Sequence, residues 1–339
     1  MSADESGSGS ATDDSASAAD LDVGLVLPQY GTDVGTVRDT ALEAEALGYD
    51  AVWLEDHFQS WIGDPRRGVH EPWTTLGALA EATDEIRLGT LVTSRDYRHP
   101  ALLAKMAAQV DRLSDGRLEL GLGGGWYADE YERFGYEFRE PPAERLRRLA
   151  ETVEILQGLW TTDGYSHEGE HLEVDLEEAF CEPRPVQDPH PPIWIGGGGE
   201  AFTLRYTAEL ADGWNFGTLA PEGFADKLEV LREHCESEAR YDEIRKSAEL
   251  FVFVGETTDD AEAKRERFAD EYLPDEPAEP REFFLSGYVE TAPTGTPEDV
   301  RDRLAEYAGA GIEEVMLVVP DAADDGDESL ALLADEVLA

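Results

Sequence analysis

Apolar positions along the chain fall into short continuous runs, each followed by a stretch with helical spacing. Residues 21–27 are apolar almost throughout and stop at Pro28, which predicts a buried strand. Over 35–47, Val37, Ala41, Ala44 and Leu47 make one helical stripe, Glu43 and Glu45 face away, and Gly48 ends the pattern. The alternation then repeats. Further strands are predicted at 51–54, 86–92, 117–122, 193–195, 213–217, 249–255 and 314–319. Helices are predicted at 73–82, 100–113, 144–160, 201–211, 220–238, 259–272, 296–308 and 329–338, the seventh opening on Thr296 as N-cap with Pro297 behind it. Two segments break the rhythm, 161–191 and 273–296. Continuous apolar strands are buried on both faces, which means parallel pairing. About eight strand–helix units in one chain of this size describe a TIM (β/α)8 barrel, with insertions after the strand-4 and strand-7 helices. A doubly wound sheet competes, but strand 1 ends in Pro28-Gln29-Tyr30 and not in a glycine fingerprint. One barrel domain is therefore expected over 21–339, preceded by a disordered, solvated acidic and Ser-rich tail over 1–20.

Charge narrows the partners. Asp and Glu number 76 against 27 Lys and Arg, for a net charge of -49. Such a surface repels nucleic acid and anionic membranes, so neither is expected as a partner. The acids are spread along the chain, and only four lysines occur (Lys105, Lys227, Lys246, Lys264). This suits a halophilic protein, because the screening length falls to ~3 Å at 1 M salt and suppresses self-repulsion. Cys181 and Cys235 offer neither a disulfide framework nor a metal spacing and read as reduced thiols. With no signal peptide and no apolar span, a cytoplasmic location is expected.

In a barrel the strand C-termini share one rim, where chemistry sits. That rim is predicted to carry Gln29, Asp56, His57, Thr93, Ser94, Gly123 to Gly125, Gly196 to Gly199, Trp214 and Asn215. The run Gly196-Gly197-Gly198-Gly199 ahead of a helix is a candidate phosphate seat, or an ordinary turn. His57 could donate a proton beside a reacting ring or simply bond within its loop, and Asp56 could orient that loop. Arg66, Arg67, Arg95 and Arg98 could invert the field locally for an anionic ligand, or pair with surrounding acids. Trp53, Trp73, Trp160 and Trp194 read as core; Trp61, Trp126 and Trp214 fall at the rim. His167-Glu168-Gly169-Glu170-His171 fits a zinc-protease motif by letter, but Gly169 and the following Leu172-Glu173-Val174 alternation predict a hairpin, so no metal is expected.

Taken together, Asp56-His57-Phe58, Leu88-Gly89-Thr90 through His99-Pro100, the run from Gly116 to Gly123, Pro192 to Gly199 and Ala211-Asp212-Gly213-Trp214 resemble the bacterial-luciferase-like monooxygenase superfamily. Asp56-His57-Phe58-Gln59 followed by Trp61 is most similar to its branch using the deazaflavin coenzyme F420. The resemblance implies a redox ring in the barrel mouth, with a non-prolyl cis peptide at Leu91–Val92. It implies catalytic roles for His57 and Trp61, and cofactor contacts from Asp56, Leu91, Val92, Thr93, Gly124, Gly125, Gly197, Gly198, Gly199 and Thr203. It also implies a homodimer. Sugar-phosphate dehydrogenases of the branch carry an acid where this chain has Trp126, which suggests an apolar or aromatic substrate pocket. The expected function is hydride transfer between F420 and a small organic substrate. The alternatives are an FMN-dependent monooxygenase fed by a flavin reductase (an F420 reductase could serve the first reading likewise) and a non-catalytic flavin-binding barrel.

Overall fold

The computed structural model describes residues 18–236, 239–274, 278–323 and 327–337. Eight parallel strands close into a barrel: β1 (Asp22–Val26), β2 (Ala51–Leu54), β3 (Arg87–Thr90), β4 (Leu118–Gly123), β5 (Ile193–Gly196), β6 (Gly213–Gly217), β7 (Arg245–Phe251) and β8 (Glu314–Val318). β8 pairs with β1, and β3 with β4 through Leu88 and Leu118, so no edge is left open. The helices α1 (Val34–Leu47), α2 (Pro72–Ala82), α3 (Pro100–Leu113), α4 (Ala128–Phe134), α5 (Pro142–Thr161), α6 (Arg205–Leu210), α7 (Pro221–Cys235), α8 (Thr258–Tyr272), α9 (Pro280–Thr291), α10 (Pro297–Gly309) and α11 (Asp327–Val337) surround it. Local chemistry sets several starts. The Asp33 carboxylate accepts the Gly35 amide at 2.7 Å, and Thr296 with Asp299 forms a reciprocal capping box. Among the described residues no helix is long and apolar enough to cross a membrane.

The eight-unit rhythm is as expected, and the departures are local. Strand 3 stops at Thr90 and resumes at Thr93–Ser94, because the intervening Leu91–Val92 peptide is cis, at the place the family resemblance implied. β7 starts four residues earlier than its apolar run, at Arg245 and Lys246, whose charges reach acids at the barrel foot. The predicted helix 201–211 opens as a wider π turn, Glu200–Leu204, before α6. Each irregular segment contains order: a hairpin (Tyr165–His167 with Leu176–Ala179) in the first, α9 in the second. The expected tail lies outside the described residues up to position 17, while Ala18–Asp20 forms a 3-10 turn with Ala18 buried in the core.

Alternation along the strands builds two separate interiors. Val23, Leu25, Val52, Leu54, Leu120, Ile195, Leu250 and Leu317 face the helices in the main core. Their neighbours Val26, Ala51, Trp53, Leu91, Trp194 and Met316 pack inside the barrel itself. Two indoles are large for that space, and glycines make room for them. A Cβ on Gly89 would stand 2.1 Å from the Trp53 ring, and one on Gly213 2.3 Å from Trp194. The two rings meet edge to face, centroids 5.9 Å apart. Beneath them Arg87 and Arg245 bridge Asp22, Glu119 and Glu314 and close the foot. The foot is sealed, so chemistry is confined to the other end.

Candidate active site

That end holds a cavity of about 460 Å³ lined by the C-terminal ends of β2 to β7. One wall is glycine. Gly123 and Gly196 flank Val92 so closely that a Cβ on either would come within 2.7 and 3.0 Å of its methyls. Leu91 and Val92, joined by the cis peptide, line the cavity between these two bare strands. Beside it, Gly197 spends its amide on the Asn215 carbonyl at 2.9 Å and its carbonyl on the Trp214 indole at 2.9 Å. Gly198 and Gly199 spend their amides on no described residue, and with Thr203 they line the cavity. Fixed, unspent backbone donors in a water-poor hollow attract anionic oxygen. The exposed Glu200 that follows is neutralised by Lys227 at 2.7 Å.

Across the mouth, His57 follows β2. Its Nδ1 faces Glu130 Oε2 at 3.0 Å, and both side chains are nearly inaccessible. Glu130 sits on α4 and gathers the loop around itself: it accepts the amides of Phe58 at 2.7 Å and Gln59 at 3.1 Å, and the Tyr97 hydroxyl. Burial is the largest influence on both groups and opposes charge on each, yet the pair overcomes it. His57 is held above its ordinary value chiefly by Glu130, and Glu130 below its own chiefly by His57. The pair thereby favours the charged form of the imidazole over the neutral one.

Two more buried acids complete the mouth. The Glu55 side chain accepts the Trp61 indole N–H at 2.9 Å, and its backbone is clamped by the Gln29 amide group at 2.7 and 2.8 Å. Glu249, at the inward face of β7, accepts the Tyr288 hydroxyl at 2.8 Å. Burial raises the carboxyls of both. Around them stands an aromatic wall: Trp126 stacks on Tyr127 (5.3 Å between centroids), meets Phe284 at 5.0 Å and Trp61 at 5.8 Å, and has His57 edge-on at 5.9 Å.

Of the residues singled out from sequence, His57, Trp61, Asp56, Leu91, Val92, Gly124, Gly125, Gly197, Gly198, Gly199, Thr203 and Trp126 line this one cavity. Thr93 does not. It is wholly buried, and its hydroxyl accepts the Trp73 indole beneath α2. Asp56 lines the cavity but its oxygens are committed to Arg98 at 2.5 and 3.0 Å and to the Ser94 amide, so it fixes the loop. The four arginines do not form an anion site. Arg98 is spent on Asp56 and Glu71, Arg95 on Asp96, Arg67 on Tyr272 and the Tyr30 carbonyl, and none of them or Arg66 lines the cavity. In so acidic a chain each such cation is claimed by its neighbours. The arginine that does line the mouth is Arg145 on α5, itself bound to the Arg139 carbonyl and Glu140. His167 lies on a strand and contacts Glu151, away from helical spacing, and no metal-binding cluster occurs among the described residues.

Sequence reasoning missed Glu130, Glu55 and Glu249. For Glu249 a signal existed, since an acid within a strand buried on both faces demands a reason, whereas Glu55 lies just past the apolar run of β2. For Glu130 there was none.

Comparison with known proteins agrees with this architecture. The chain is 35% identical over 177 residues to an F420-dependent glucose-6-phosphate dehydrogenase of Amycolatopsis mediterranei, a match spanning 51% of this chain and 50% of that one. It is 38% identical over 209 residues to an uncharacterized protein of Mycobacterium tuberculosis, covering 56% of this chain and 70% of the other. Among solved structures, an F420-dependent secondary alcohol dehydrogenase in complex with an F420-acetone adduct superposes over 94% of this chain and 99% of its own, with a TM-score of 0.79 at 19% identity. The coenzyme F420-dependent tetrahydromethanopterin reductase of Methanopyrus kandleri follows at 0.78 and 22%, covering 94% and 98%. The model of the luciferase-like monooxygenase family matches residues 18–314, and the chain belongs to that family.

Proposed function

We propose that this protein is an F420-dependent oxidoreductase acting on a small uncharged organic substrate. The observation that carries the reading is one cavity with a bare glycine wall, two unspent amides at Gly198 and Gly199, and the buried His57–Glu130 pair in the same lining. A planar redox ring needs the first, its phosphate-bearing tail the second, and charge developing on the ring the third. The residues present fit such a group. Leu91, Val92, Gly124 and Gly125 would pack against the ring, and Gly198, Gly199 and Thr203 would hold the tail. Bound there, the deazaflavin would supply a carbon that takes up or gives up hydride. His57, held toward its charged form by Glu130, would favour negative charge developing on the ring, and Trp61 with Trp126 would exclude water. The F420-dependent relatives favour this coenzyme over FMN.

The substrate side argues for an uncharged molecule. Its walls are Trp126, Tyr127, Phe284 and Tyr288 with two buried acids. A sugar phosphate would meet no lysine in this lining, and the arginine there, Arg145, already donates to the Arg139 carbonyl and pairs with Glu140. A homodimer and a partner that recycles the coenzyme remain part of the proposal, the first suggested by the family resemblance and the second by the redox chemistry. The test is an anaerobic assay of F420 bleaching, offered uncharged secondary alcohols and, separately, glucose 6-phosphate. Turnover with the alcohols and none with the sugar phosphate is expected; the reverse would overturn the substrate assignment. Oxygen-dependent turnover with reduced FMN alone would replace the whole reading by the monooxygenase one.

A further inference from the structure

The mouth holds an acid that hydride transfer by itself does not use. Side chains of β7 alternate: Ala248 and Leu250 enter the outer core, while Ser247, Glu249 and Phe251 face the barrel axis. Glu249 is thereby set into the cavity wall, and among the described residues no lysine or arginine pairs with it or with Glu55. Its partner comes from the second insertion. Helix α9 lays Tyr288 over the mouth, and the phenol donates to Glu249 Oε2 at 2.8 Å. β6 leaves space for that contact, since a Cβ on Gly217 would stand 2.4 Å from the Tyr288 hydroxyl. A strand residue, a bare glycine and an inserted helix together hold one carboxyl at the wall where Trp126 and Phe284 enclose the substrate.

We propose that Glu249, aimed by Tyr288, is the catalytic group that exchanges the proton of the substrate's oxygen. The proposal rests on the oxidoreductase reading above. In the oxidising direction, the substrate C–H bond breaks with its electron pair going as hydride to oxidised F420. The O–H proton passes to the Glu249 carboxylate, and a C=O bond forms. In the reducing direction, the carbonyl carbon takes hydride from reduced F420 and its oxygen takes the proton from the Glu249 carboxylic acid.

The surroundings suit that duty. Burial, the largest effect, and the charge of Glu55 raise the carboxyl to about 8, against the pull of the Tyr288 hydrogen bond and of His57. The groups facing it are Glu55 at the end of β2, His57 in the following loop and Tyr288 on α9; behind Glu55 lie Tyr30 and Glu130. A proton-transfer group works best when it titrates near the working pH. Glu130 holds His57 toward its charged form, whereas burial and Glu55 hold Glu249 toward its protonated one. At neutral pH it carries the proton, which arms the site for reduction. Oxidation should gain, and reduction fade, as pH rises through about 8.

Three variants test this: Glu249→Gln, Glu249→Asp and Tyr288→Phe. In cofactor-free protein, pH-difference infrared spectra should show a protonated carboxyl band that titrates in the parent and is missing in Glu249→Gln. With F420 and substrate, Glu249→Gln should lose at least ~100-fold in kcat, the lower end of proton-transfer effects, with F420 binding unchanged, and Glu249→Asp should restore part of it. Removing the Tyr288 hydroxyl takes a donor from the carboxylate, so Tyr288→Phe should move the pH profile upward. A parent that turns over while Glu249→Gln keeps its rate and profile overturns this proposal alone. A parent without F420 turnover overturns the oxidoreductase reading and this inference with it.

Discussion

Glu130→Gln tests the structure at its most consequential contact. The carboxylate accepts from His57, the Phe58 and Gln59 amides and the Tyr97 hydroxyl, with its side chain wholly out of water. The amide keeps one oxygen for the backbone donors but loses the charge that answers His57. Breaking one side of a buried ion pair costs ~3–5 kcal/mol, and a comparable loss is expected here. Burial is already the largest influence on His57 and works against its charge. Without Glu130 it should prevail, so the imidazole should move from above its ordinary value of 6.5 to below it. The pH dependence follows from the two signs. His57, raised in the folded protein, contributes stability below 6.5 that is lost as pH climbs through its folded value. Glu130, lowered, contributes stability above 4.5 that is lost as pH falls through its folded value. The stability gap between parent and variant should therefore be widest between 4.5 and 6.5 and narrow on both sides. Denaturant unfolding across pH gives the gap, and proton NMR of the His57 ring, assigned by its loss in His57→Gln, gives the titration. An unchanged His57 titration in Glu130→Gln would refute the reasoning.

Two further outcomes can be measured on the same material. Gly89→Ala puts a Cβ 2.1 Å from the Trp53 ring inside a closed barrel, so a loss of at least ~1–3 kcal/mol in denaturant unfolding is expected, and none would mean the interior is looser than described. With a net charge of -49, the thermal midpoint should fall steadily as salt drops from molar to a tenth of that, where the screening length grows from ~3 to ~10 Å; a midpoint indifferent to salt would contradict the halophilic reading.

Hydrophobic continuity made the barrel legible, because eight runs without alternation can be satisfied only by burial on both faces. It hid which positions face the axis. Val52 and Trp53 look equally apolar in sequence, yet one supports α-helices and the other fills the barrel. The glycines at 123–125 and 196–199 line the cavity and were readable as part of the rim from their place at strand ends. Glu130 was not. It lies on the short helix α4, whose stripe is too brief for a periodic signal, and it is one acid among 76. That same excess decides between the two readings of Arg95 and Arg98 left open by the sequence: both guanidiniums pair with neighbouring carboxylates. Helix α9 was hidden in the segment 273–296 because only Leu285, Tyr288 and Val289 of its residues are buried while Phe283 is exposed, so its apolar positions make no clean stripe.

In the proposed complex the bare-glycine mouth holds F420 by the amides of Gly198 and Gly199, opposite His57. Titration of the parent and of Gly198→Val with oxidised F420 and with FMN, followed by fluorescence, tests it directly. A Cβ at Gly198 would press on the Phe216 ring at 2.8 Å and close the cradle. Saturable F420 binding in the parent, weakened at least ~10-fold in the variant (about 1.4 kcal/mol), is the predicted result. Tight FMN binding with no F420 binding, or F420 binding indifferent to Gly198→Val, would contradict the account.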